Sequence, residues 1–307
     1  MDGIREMATL QGTLLLLLLL GTVARKMKII SDGGKKTLTD LLITFILPCN
    51  IINSFRIEFS VEVLQKCFIV LVIALLIQIM CMGLAGCLFN RTEKSHKAVL
   101  QYATVCSNAG FMGNPIAETL YGGMGLLYAS VYLIPQRIVM WSAGISYFTH
   151  ETSWKKSLKR VAVHPCVIAV YIGMFLMLTG LVLPQFLVKG LTQAGGCCTT
   201  ISMVVIGTIL AEIDLRSMID WEILKYSALR LLIIPGIVLA GCFFCGLDQL
   251  TTGVSVILAG MPAGSTTAIL ASKYEGDEKF ATKCVVASTI LSFLTVPILF
   301  LAVRSLM

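Results

Sequence analysis

Charged side chains are scarce in this chain, and their scarcity argues against a soluble protein. Only 13% of the 307 residues are Asp, Glu, Lys or Arg, whereas soluble domains contain about a quarter. The chain is 57% hydrophobic and its mean hydropathy is +0.87. Apolar stretches of about 20 residues, the length that crosses a lipid bilayer, recur from end to end. The sequence therefore predicts an all-α polytopic membrane protein.

Enzyme and ATPase motifs are also missing from the sequence. It contains no H-E-x-x-H, G-x-S-x-G or D-D-x-x-D motif, no aspartate pair suited to intramembrane proteolysis, and no G-x-x-x-x-G-K-[ST] loop. We therefore expect no enzyme and no cofactor. The eleven cysteines lie mostly in apolar stretches and lack zinc-finger spacing, so we interpret them as reduced and structural, and expect no metal site.

Ten apolar stretches are long enough to cross a membrane. They cover residues 7–24, 37–55, 63–89, 97–121, 125–148, 163–183, 187–212, 221–246, 252–272 and 280–303. Seventeen lysines and arginines lie in or beside the odd-numbered connections, against five in the even-numbered connections and termini. This bias predicts cytoplasmic odd-numbered connections and extracytoplasmic termini in a cell membrane, and it explains the net charge of +7 without a nucleic acid partner.

The chain divides into two similar halves. Residues 150–162 form a short basic linker, which we expect in the cytoplasm, with five stretches in residues 1–149 and five in residues 163–307. An odd number of crossings per half turns the second half upside down relative to the first, which is the inverted-repeat arrangement of many carriers. Asn108 precedes Tyr121 by the same spacing by which Met261 precedes Tyr274, so we expect the two halves to correspond here.

Two of the ten stretches contain glycine and proline near their middle. One runs over 96–121 with its break at 107–115, and the other runs over 252–274 with its break at 260–267. These residues interrupt a helix and free amides and carbonyls that lipid cannot satisfy. Paired breaks in two halves are typical of a transporter's binding site, so we expect both to face a wet cavity.

Polar and small residues at the breaks are the predicted substrate contacts. They are Asn108, Gly113, Asn114, Pro115, Met261, Pro262, Ser265 and Thr266, with Asn50 added from the second stretch. A carboxamide bonds a ligand without the cost of a buried charge, and half-helix N-termini favour an anionic group. Two alternatives stay open: the asparagines cap the broken ends, or the hydroxyls bond back to their own helix.

Two arginines lie inside apolar stretches. Arg137 is near the middle of the fifth stretch, where a charge costs about 2.5–3.5 kcal/mol and needs a partner or a wet path. It is a candidate fixed cation for a carboxylate substrate, and the alternative is a structural pair with Glu118 or with a carbonyl of a broken helix. Arg230 lies nearer the cytoplasmic end of its stretch, and we interpret it as a snorkelling residue.

Two acidic residues are candidates for proton coupling. Asp40 begins the second stretch and Glu118 lies towards the end of the fourth. Either carboxylate is able to take up a proton during transport. For Asp40 the alternative is that it stabilises the first turn of a helix, where an acidic residue favours the helix dipole.

At these residues the chain resembles the auxin efflux carrier family along essentially its whole length. The resemblance rests on Leu47-Pro48, Asn108 with Gly113-x-Pro115, Tyr121-Gly122, Tyr128-x5-Ile134-Pro135-x5-Trp141, Ile206-Gly207-x2-Leu210, Met261-Pro262 and Ala271-x2-Tyr274. It implies ten helices in two inverted repeats, with the fourth and ninth crossing at their proline breaks, as in the bile-acid symporter and antiporter fold. It further implies that Asn108 holds a substrate carboxylate.

The resemblance also implies how such a protein works. Spans one, two, six and seven would form a scaffold, and spans three to five and eight to ten a mobile unit. The short linker is similar to that of bacterial relatives, some of which are assigned to malonate or malate transport. We therefore expect a secondary efflux carrier of a small mono- or dicarboxylate. A sodium-coupled bile-acid-type symporter, a channel or a receptor are the alternatives, and a monomer and a homodimer both stay open.

Overall fold

The computed structural model describes residues 2–56, 60–90, 92–140, 143–148, 163, 165–211, 220–274 and 276–307. The predicted linker 150–162 lies outside these residues. The described residues form helices and no β-strand. The helices are α1 (Asp2–Lys26), α2 (Asp32–Leu41), α3 (Leu47–Ser54), α4 (Val61–Leu88), α5 (Lys94–Val105), α6 (Asn114–Met140), α7 (Ala143–Ser146), α8 (Pro165–Thr179), α9 (Gln185–Gly196), α10 (Cys198–Leu210), α11 (Trp221–Ala228), α12 (Ile234–Phe244), α13 (Gln249–Ala259), α14 (Thr266–Lys273) and α15 (Glu278–Leu306).

Among the described residues, three short π-helical segments precede α-helices, and a proline follows each segment at the same distance. Leu42–Ile46, Ala109–Gly113 and Leu229–Ile233 each end two residues before a proline. Proline lacks an N–H group and its ring collides with the carbonyl four residues earlier in a regular α-helix. A wider turn before the proline relieves that collision, so the sequence itself places these irregular turns.

The helices agree with the predicted stretches, and part of them have the length and hydropathy that crossing a membrane requires. Four described helical stretches are long and apolar enough to cross a membrane: Val61–Leu88, Gln185–Leu210, Trp221–Phe244 and Glu278–Leu306. Pro165–Thr179 and Gln249–Ala259 are shorter apolar helices. The prediction of an all-helical membrane protein is confirmed, while the count of ten crossings stays a prediction.

The surface of the molecule is suited to lipid rather than water. Large apolar side chains point outward from α1, α4, α8, α9, α12 and α15; examples are Leu16, Phe68, Phe175, Phe186, Phe243 and Leu294, all more than two-fifths exposed. Soluble monomers rarely expose contiguous apolar patches beyond a few hundred Å². This outward belt is therefore the face that the bilayer covers.

Small residues allow the closest helix contact in the described fold. α1 packs against α10, and a Cβ atom added to Gly207 would lie 2.0 Å from the Leu18 carbonyl oxygen. Thr22 Oγ1 donates to the Gly207 carbonyl at 3.0 Å. Close approach of backbones through glycine is a usual way for membrane helices to associate. Next to this pair, α3 packs against α8 and α9.

The remaining helices pack around the two breaks. α4 contacts α5 and α6, and α13 contacts α6, α12 and α15. Within α6, Gly122 adopts φ 64° and reverses the chain. A positive φ is costly for residues with a Cβ atom and free for glycine. The turn separates the predicted fourth and fifth stretches at the position where the sequence analysis divides them.

Connections of equal parity meet in space. His96, beside the third connection, places Nδ1 2.8 Å from Glu222 Oε2, beside the seventh connection, and Nε2 3.5 Å from Asp277 Oδ2, in the ninth. Lys66 Nζ, one turn after the second connection, lies 3.8 Å from Asp248 Oδ2 in the eighth connection. Spans that alternate in direction bring odd and even connections to opposite ends, and these contacts fit that alternation.

Replacing Gly21 by alanine should destabilise the protein by about 1–3 kcal/mol, because the added methyl would lie 2.2 Å from the Val204 carbonyl oxygen. Gly12→Ala is the matched control on the same helix, since nothing lies within 4 Å of its Cβ position and alanine favours a helix by about 1 kcal/mol. Thermal unfolding in detergent measures both variants. Equal midpoints would contradict the close crossing of α1 and α10.

Candidate functional site

The two breaks lie side by side and pair through their backbones. Ser107 and Ala263 form an antiparallel bridge. The Asn108 N–H donates to the Pro262 carbonyl at 2.7 Å, and the Gly264 N–H donates to the Cys106 carbonyl at 3.1 Å. We call this paired region, residues 106–108 with 262–264, the crossing. The breaks that the sequence analysis places around one cavity are thus hydrogen-bonded to each other.

The carbonyls freed at the first break all find a donor. A helix end leaves four carbonyls without an intrahelical partner, and lipid offers none. Here six consecutive carbonyls are satisfied: Tyr102 by the Cys106 N–H, Ala103 by Tyr226, Thr104 by Arg230, Val105 by Gln78, Cys106 by the Gly264 N–H and Ser107 by Gln136. Buried side chains from α4, α6, α11 and the segment Leu229–Ile233 therefore hold the break open.

Arg230 serves both breaks at once. Its Nε donates to the Met261 carbonyl at 3.0 Å, and its Nη1 donates to the Thr104 carbonyl at 2.9 Å. The side chain is only 2% exposed. The interpretation of Arg230 as a snorkelling residue is therefore wrong, because the free carbonyls of two broken helices offer the guanidinium a better partner than the membrane surface.

An open cleft with a volume of about 80 Å³ lies beside the crossing, where the second half-helices begin. Its lining residues come from the two breaks, from α6, α8 and from the second predicted span: Ile43, Leu47, Ser107, Asn108, Gly110, Phe111, Leu133, Gln136, Arg137, Met140, Cys166, Gly264, Ser265 and Thr266. Four predicted contacts, Asn108, Arg137, Ser265 and Thr266, thus share one cavity. The walls are mainly apolar, with these polar groups gathered at the breaks.

Asn108 does not cap the helix that follows it. Its side chain makes no capping hydrogen bond to the segment Ala109–Gly113, and its buried Nδ2 has no partner among the described residues. A buried amide nitrogen without a partner costs about 1–3 kcal/mol, which a ligand acceptor would recover. At the second break, Thr266 Oγ1 accepts a hydrogen bond from the Tyr102 hydroxyl at 3.1 Å, while Ser265 forms no side-chain cap.

Arg137 is buried and incompletely bonded. The side chain is 5% exposed, and its Nη1 has no hydrogen-bond partner in the part of the chain that the structure describes. The alternative pairing with Glu118 is not formed between these two described residues. Glu118 Oε2 instead accepts from Asn50 Nδ2 at 3.2 Å, a bond that links α3 to α6. Asn50 and Glu118 are therefore partners of each other outside the cleft lining.

Five other predicted contacts, Gly113, Asn114, Pro115, Met261 and Pro262, do not line the cleft, and three of them contribute to the contact between the two breaks. A Cβ atom on Gly113 would lie 3.2 Å from Met261 Cγ, so the glycine lets the two breaks touch. Pro262 accepts the bond from the Asn108 backbone. Pro115 and Asn114 are buried at the start of α6, and both amide atoms of Asn114 lack partners within the described ranges.

Asp40 lies apart from these residues. α2 begins at Asp32 and is capped by Ser31, whose Oγ accepts from the Gly34 N–H at 3.1 Å. Asp40 is in the last turn of this helix and is exposed. The interpretation that Asp40 stabilises a helix start is therefore wrong, because a serine cap with a following acidic residue starts the helix more than two turns before Asp40.

Sequence reasoning missed most of the groups that hold the crossing. Gln136 is the clearest case: its Nε2 donates to the Ser107 carbonyl at 2.8 Å and its Oε1 accepts from Ser107 Oγ at 3.0 Å.

For Arg230, the sequence did contain a signal, which is the distance of this residue from the start of its helix. Nine residues beyond Trp221 correspond to about 13.5 Å of helix, close to the middle of a hydrocarbon layer about 30 Å thick, which is too deep for snorkelling.

Paired helix breaks beside a cleft, inside a helical fold with an apolar exterior, define a membrane transport protein. Comparison with known proteins identifies the family of the chain. Residues 12–300 match the family described as "Membrane transport protein", the auxin efflux carrier family. The chain belongs to this family, as the sequence motifs predict. Because the family consists of transporters, the interpretation of the chain as a non-enzyme is confirmed.

Two archaeal relatives extend over nearly the whole chain. An uncharacterized transporter of Methanothermobacter thermautotrophicus is 26% identical over 300 residues, covering 93% of this chain and 95% of the relative. An uncharacterized transporter of Methanocaldococcus jannaschii is 23% identical over 294 residues, covering 92% and 94%. The similarity therefore includes both breaks and all the helices between them.

Gly264→Ala should destabilise the protein by about 1–3 kcal/mol, because the new methyl would lie 3.0 Å from the Cys106 carbonyl oxygen and 3.2 Å from that of Ser107. Gly110→Ala, at the other break, is the control, since nothing lies within 4 Å of its Cβ position. Thermal unfolding measures the difference. A larger loss for Gly110→Ala than for Gly264→Ala would argue against the backbone pairing.

Proposed function

We propose that this protein is a secondary carrier that exports a small organic anion across the cell membrane by alternating access around the crossing. The observation that supports this most directly is the cleft itself. Within it, Asn108 and Arg137 each carry a buried donor without a partner among the described residues. Unmet donors in a membrane cavity are costly until a ligand acceptor arrives.

The electrostatics of the cleft favour a negative ligand. Arg137 supplies a full positive charge, and the second half-helices begin at the cleft, where backbone N–H groups contribute a partial positive charge. No aspartate or glutamate lines the cleft in the described part of the chain. A carboxylate is the anion that best matches an asparagine amide next to a guanidinium.

The walls of the cleft favour an organic ligand. Ile43, Leu47, Phe111, Leu133 and Met140 surround the polar groups. Apolar walls with a few convergent polar groups are usual for small-molecule sites, where the walls bury the carbon skeleton and the polar groups orient the ligand. A mono- or dicarboxylate with a short carbon skeleton fits this lining better than an inorganic anion.

The proposed architecture is ten membrane spans in two inverted repeats, residues 1–149 and 163–307, with both termini outside the cytoplasm. Contacts between connections of equal parity support alternating spans. The antiparallel pairing at Ser107 and Ala263 supports a two-fold relation between the halves. That relation makes Asn108 equivalent to Gly264. The tyrosine spacing instead makes Asn108 equivalent to Met261, which lies three residues earlier.

Glu118 is the proposed proton-coupling residue. Its carboxylate accepts a hydrogen bond from Asn50 across the contact between α3 and α6. Protonation would remove the charge that this bond stabilises and so loosen the contact. Asp40, which is exposed on α2, has no such side-chain bond to another helix in the described residues and is a weaker candidate.

A ligand screen on purified protein tests the proposal. Mono- and dicarboxylates, malonate and malate among them, are added at two pH values with sodium or potassium, and thermal unfolding is followed. A ligand at a hundredfold excess over its Kd stabilises the folded state by about 2.7 kcal/mol. A carboxylate that raises the midpoint should then be transported by proteoliposomes with saturable kinetics. Non-saturating ion current instead would favour a channel.

Asn108→Ala should remove most of the midpoint shift produced by the stabilising carboxylate, because the amide that bonds the ligand is lost. A hydrogen bond to a charged group contributes about 1.5–3 kcal/mol, so affinity should fall about tenfold to a hundredfold. Asn90→Ala, at an exposed connection, is the matched control. An unchanged shift in Asn108→Ala would rule out this residue as the ligand contact.

Arg137→Gln should weaken anionic ligands more than neutral analogues, such as the amide of the same acid. The substitution removes the charge that Arg137 brings to the cleft and keeps a shorter polar side chain that still donates hydrogen bonds. Arg25→Gln is the control, since Arg25 forms an ion pair with Asp32 and does not line the cleft. Equal losses for the acid and its amide would indicate that Arg137 has a structural role.

A further inference from the structure

The crossing has two chemically different sides. The second half-helices begin at the cleft, whereas α5 and α13 end beside Arg230. The C-terminal end of a helix carries a partial negative charge. In carriers with broken helices, unwound carbonyls and such C-terminal ends are where a coupling cation binds. The question is therefore which cation neutralises the carbonyls of α5 and α13 here.

Arg230 occupies that place. Its Nε bonds the Met261 carbonyl, two residues beyond α13, at 3.0 Å, and its Nη1 bonds the Thr104 carbonyl, in the last turn of α5, at 2.9 Å. Nη1 also lies 3.5 Å from Cys81 Sγ. Within the described ranges, no carboxylate forms an ion pair with the guanidinium. The positive charge is balanced by main-chain carbonyls from both breaks.

Neighbouring carbonyls are also bonded by side chains of the protein. The Tyr226 hydroxyl donates to the Ala103 carbonyl at 3.0 Å, and Gln78 Nε2 donates to the Val105 carbonyl at 3.1 Å. An alkali ion needs several oxygen atoms directed at one point. Here the oxygens of residues 103, 104 and 105 each have a donor, and the site already holds one positive charge.

We propose that Arg230 is a built-in cation, a positioning residue that replaces an alkali coupling ion at the crossing, so that ligand binding and transport by this protein need no sodium. The consequence for transport rests on the proposed carrier function, whereas the occupation of the site by Arg230 does not. Arginine suits this role because its planar fork reaches two carbonyls at once and keeps its charge at every accessible pH.

The first test compares cations on the intact protein, without any substrate. Thermal unfolding of the wild type is measured in sodium chloride and in potassium chloride at equal ionic strength, and the midpoints should coincide. A midpoint that sodium raises in a saturable way would overturn the proposal, because it would reveal a sodium site in the wild-type protein. This result is independent of whether any carboxylate binds.

The second test empties the site. Arg230→Ala should lower the unfolding midpoint, and millimolar guanidinium chloride should raise it again, because the free ion fits between the Thr104 and Met261 carbonyls. Arg25→Ala is the matched control: Arg25 Nη1 also bonds a carbonyl, that of Ile30 at 3.0 Å, but the side chain is partly exposed. Guanidinium should leave the unfolding midpoint of Arg25→Ala unchanged or lower it, and the same result is expected for the wild type.

An unchanged midpoint in Arg230→Ala, or a lowered midpoint that guanidinium does not restore, would overturn the proposal. If the alanine variant does not fold, Arg230→Lys and Arg230→Met separate charge from size. Lysine retains the positive charge and methionine retains only the bulk, so the lysine variant should unfold at the higher temperature. Equal midpoints, or a higher one for methionine, would contradict a role for the charge.

Discussion

The constraint on which this structure depends is that every peptide group freed inside the membrane needs a hydrogen-bond partner. Proline and glycine interrupt two helices at the same depth, and the lipid cannot bond the exposed carbonyls. The protein satisfies these carbonyls in two ways. The breaks pair with each other at Ser107 and Ala263, and side chains reach in from neighbouring helices to the carbonyls that remain. The positions of Gln78, Gln136 and Arg230 follow from this requirement.

The hydrogen-bonding groups on the two sides of the crossing differ, and the difference supports the proposal that the ligand is an anion. On the carbonyl side, three donors, from Gln78, Tyr226 and Arg230, are already bonded. On the cleft side, donors of Asn108 and Arg137 are buried without partners among the described residues. The negative helix ends are neutralised by the protein, and the positive helix ends are left for a ligand. A cation would find its oxygens occupied, whereas an anion would find its donors free.

Local chemistry made part of this architecture predictable from the sequence. Glycine and proline act on their own backbone, so the breaks at residues 107–115 and 260–267 and the turn at Gly122 follow from the residues present. Arg230 and Gln136 were missed because their partners lie 126 and 29 residues away, and no local pattern encodes those distances. The role of Asp40 at a helix start was predicted wrongly because the helix begins before the apolar pattern does. Ser31 caps the helix, and Asp40 lies in its last turn.

Under the proposed function, the same hydrogen bonds favour one group of helices moving together with the breaks. The side chains that bond the breaks come from α4 (Gln78), α6 (Gln136), α11 with its following segment (Tyr226, Arg230) and α15 (Ser288, whose hydroxyl accepts from the Ala263 N–H at 3.1 Å). Separating these helices from the breaks would expose unpaired carbonyls in the membrane. On the opposite wall of the cleft, Ile43 and Leu47 have apolar side chains, which cannot form such hydrogen bonds to the breaks. Under the proposed function, alternating access would keep the hydrogen bonds of the breaks intact if the breaks move together with α4, α6, α11 and α15 against α3 and α8, and the Asn50–Glu118 bond between α3 and α6 is a polar contact that this movement would break.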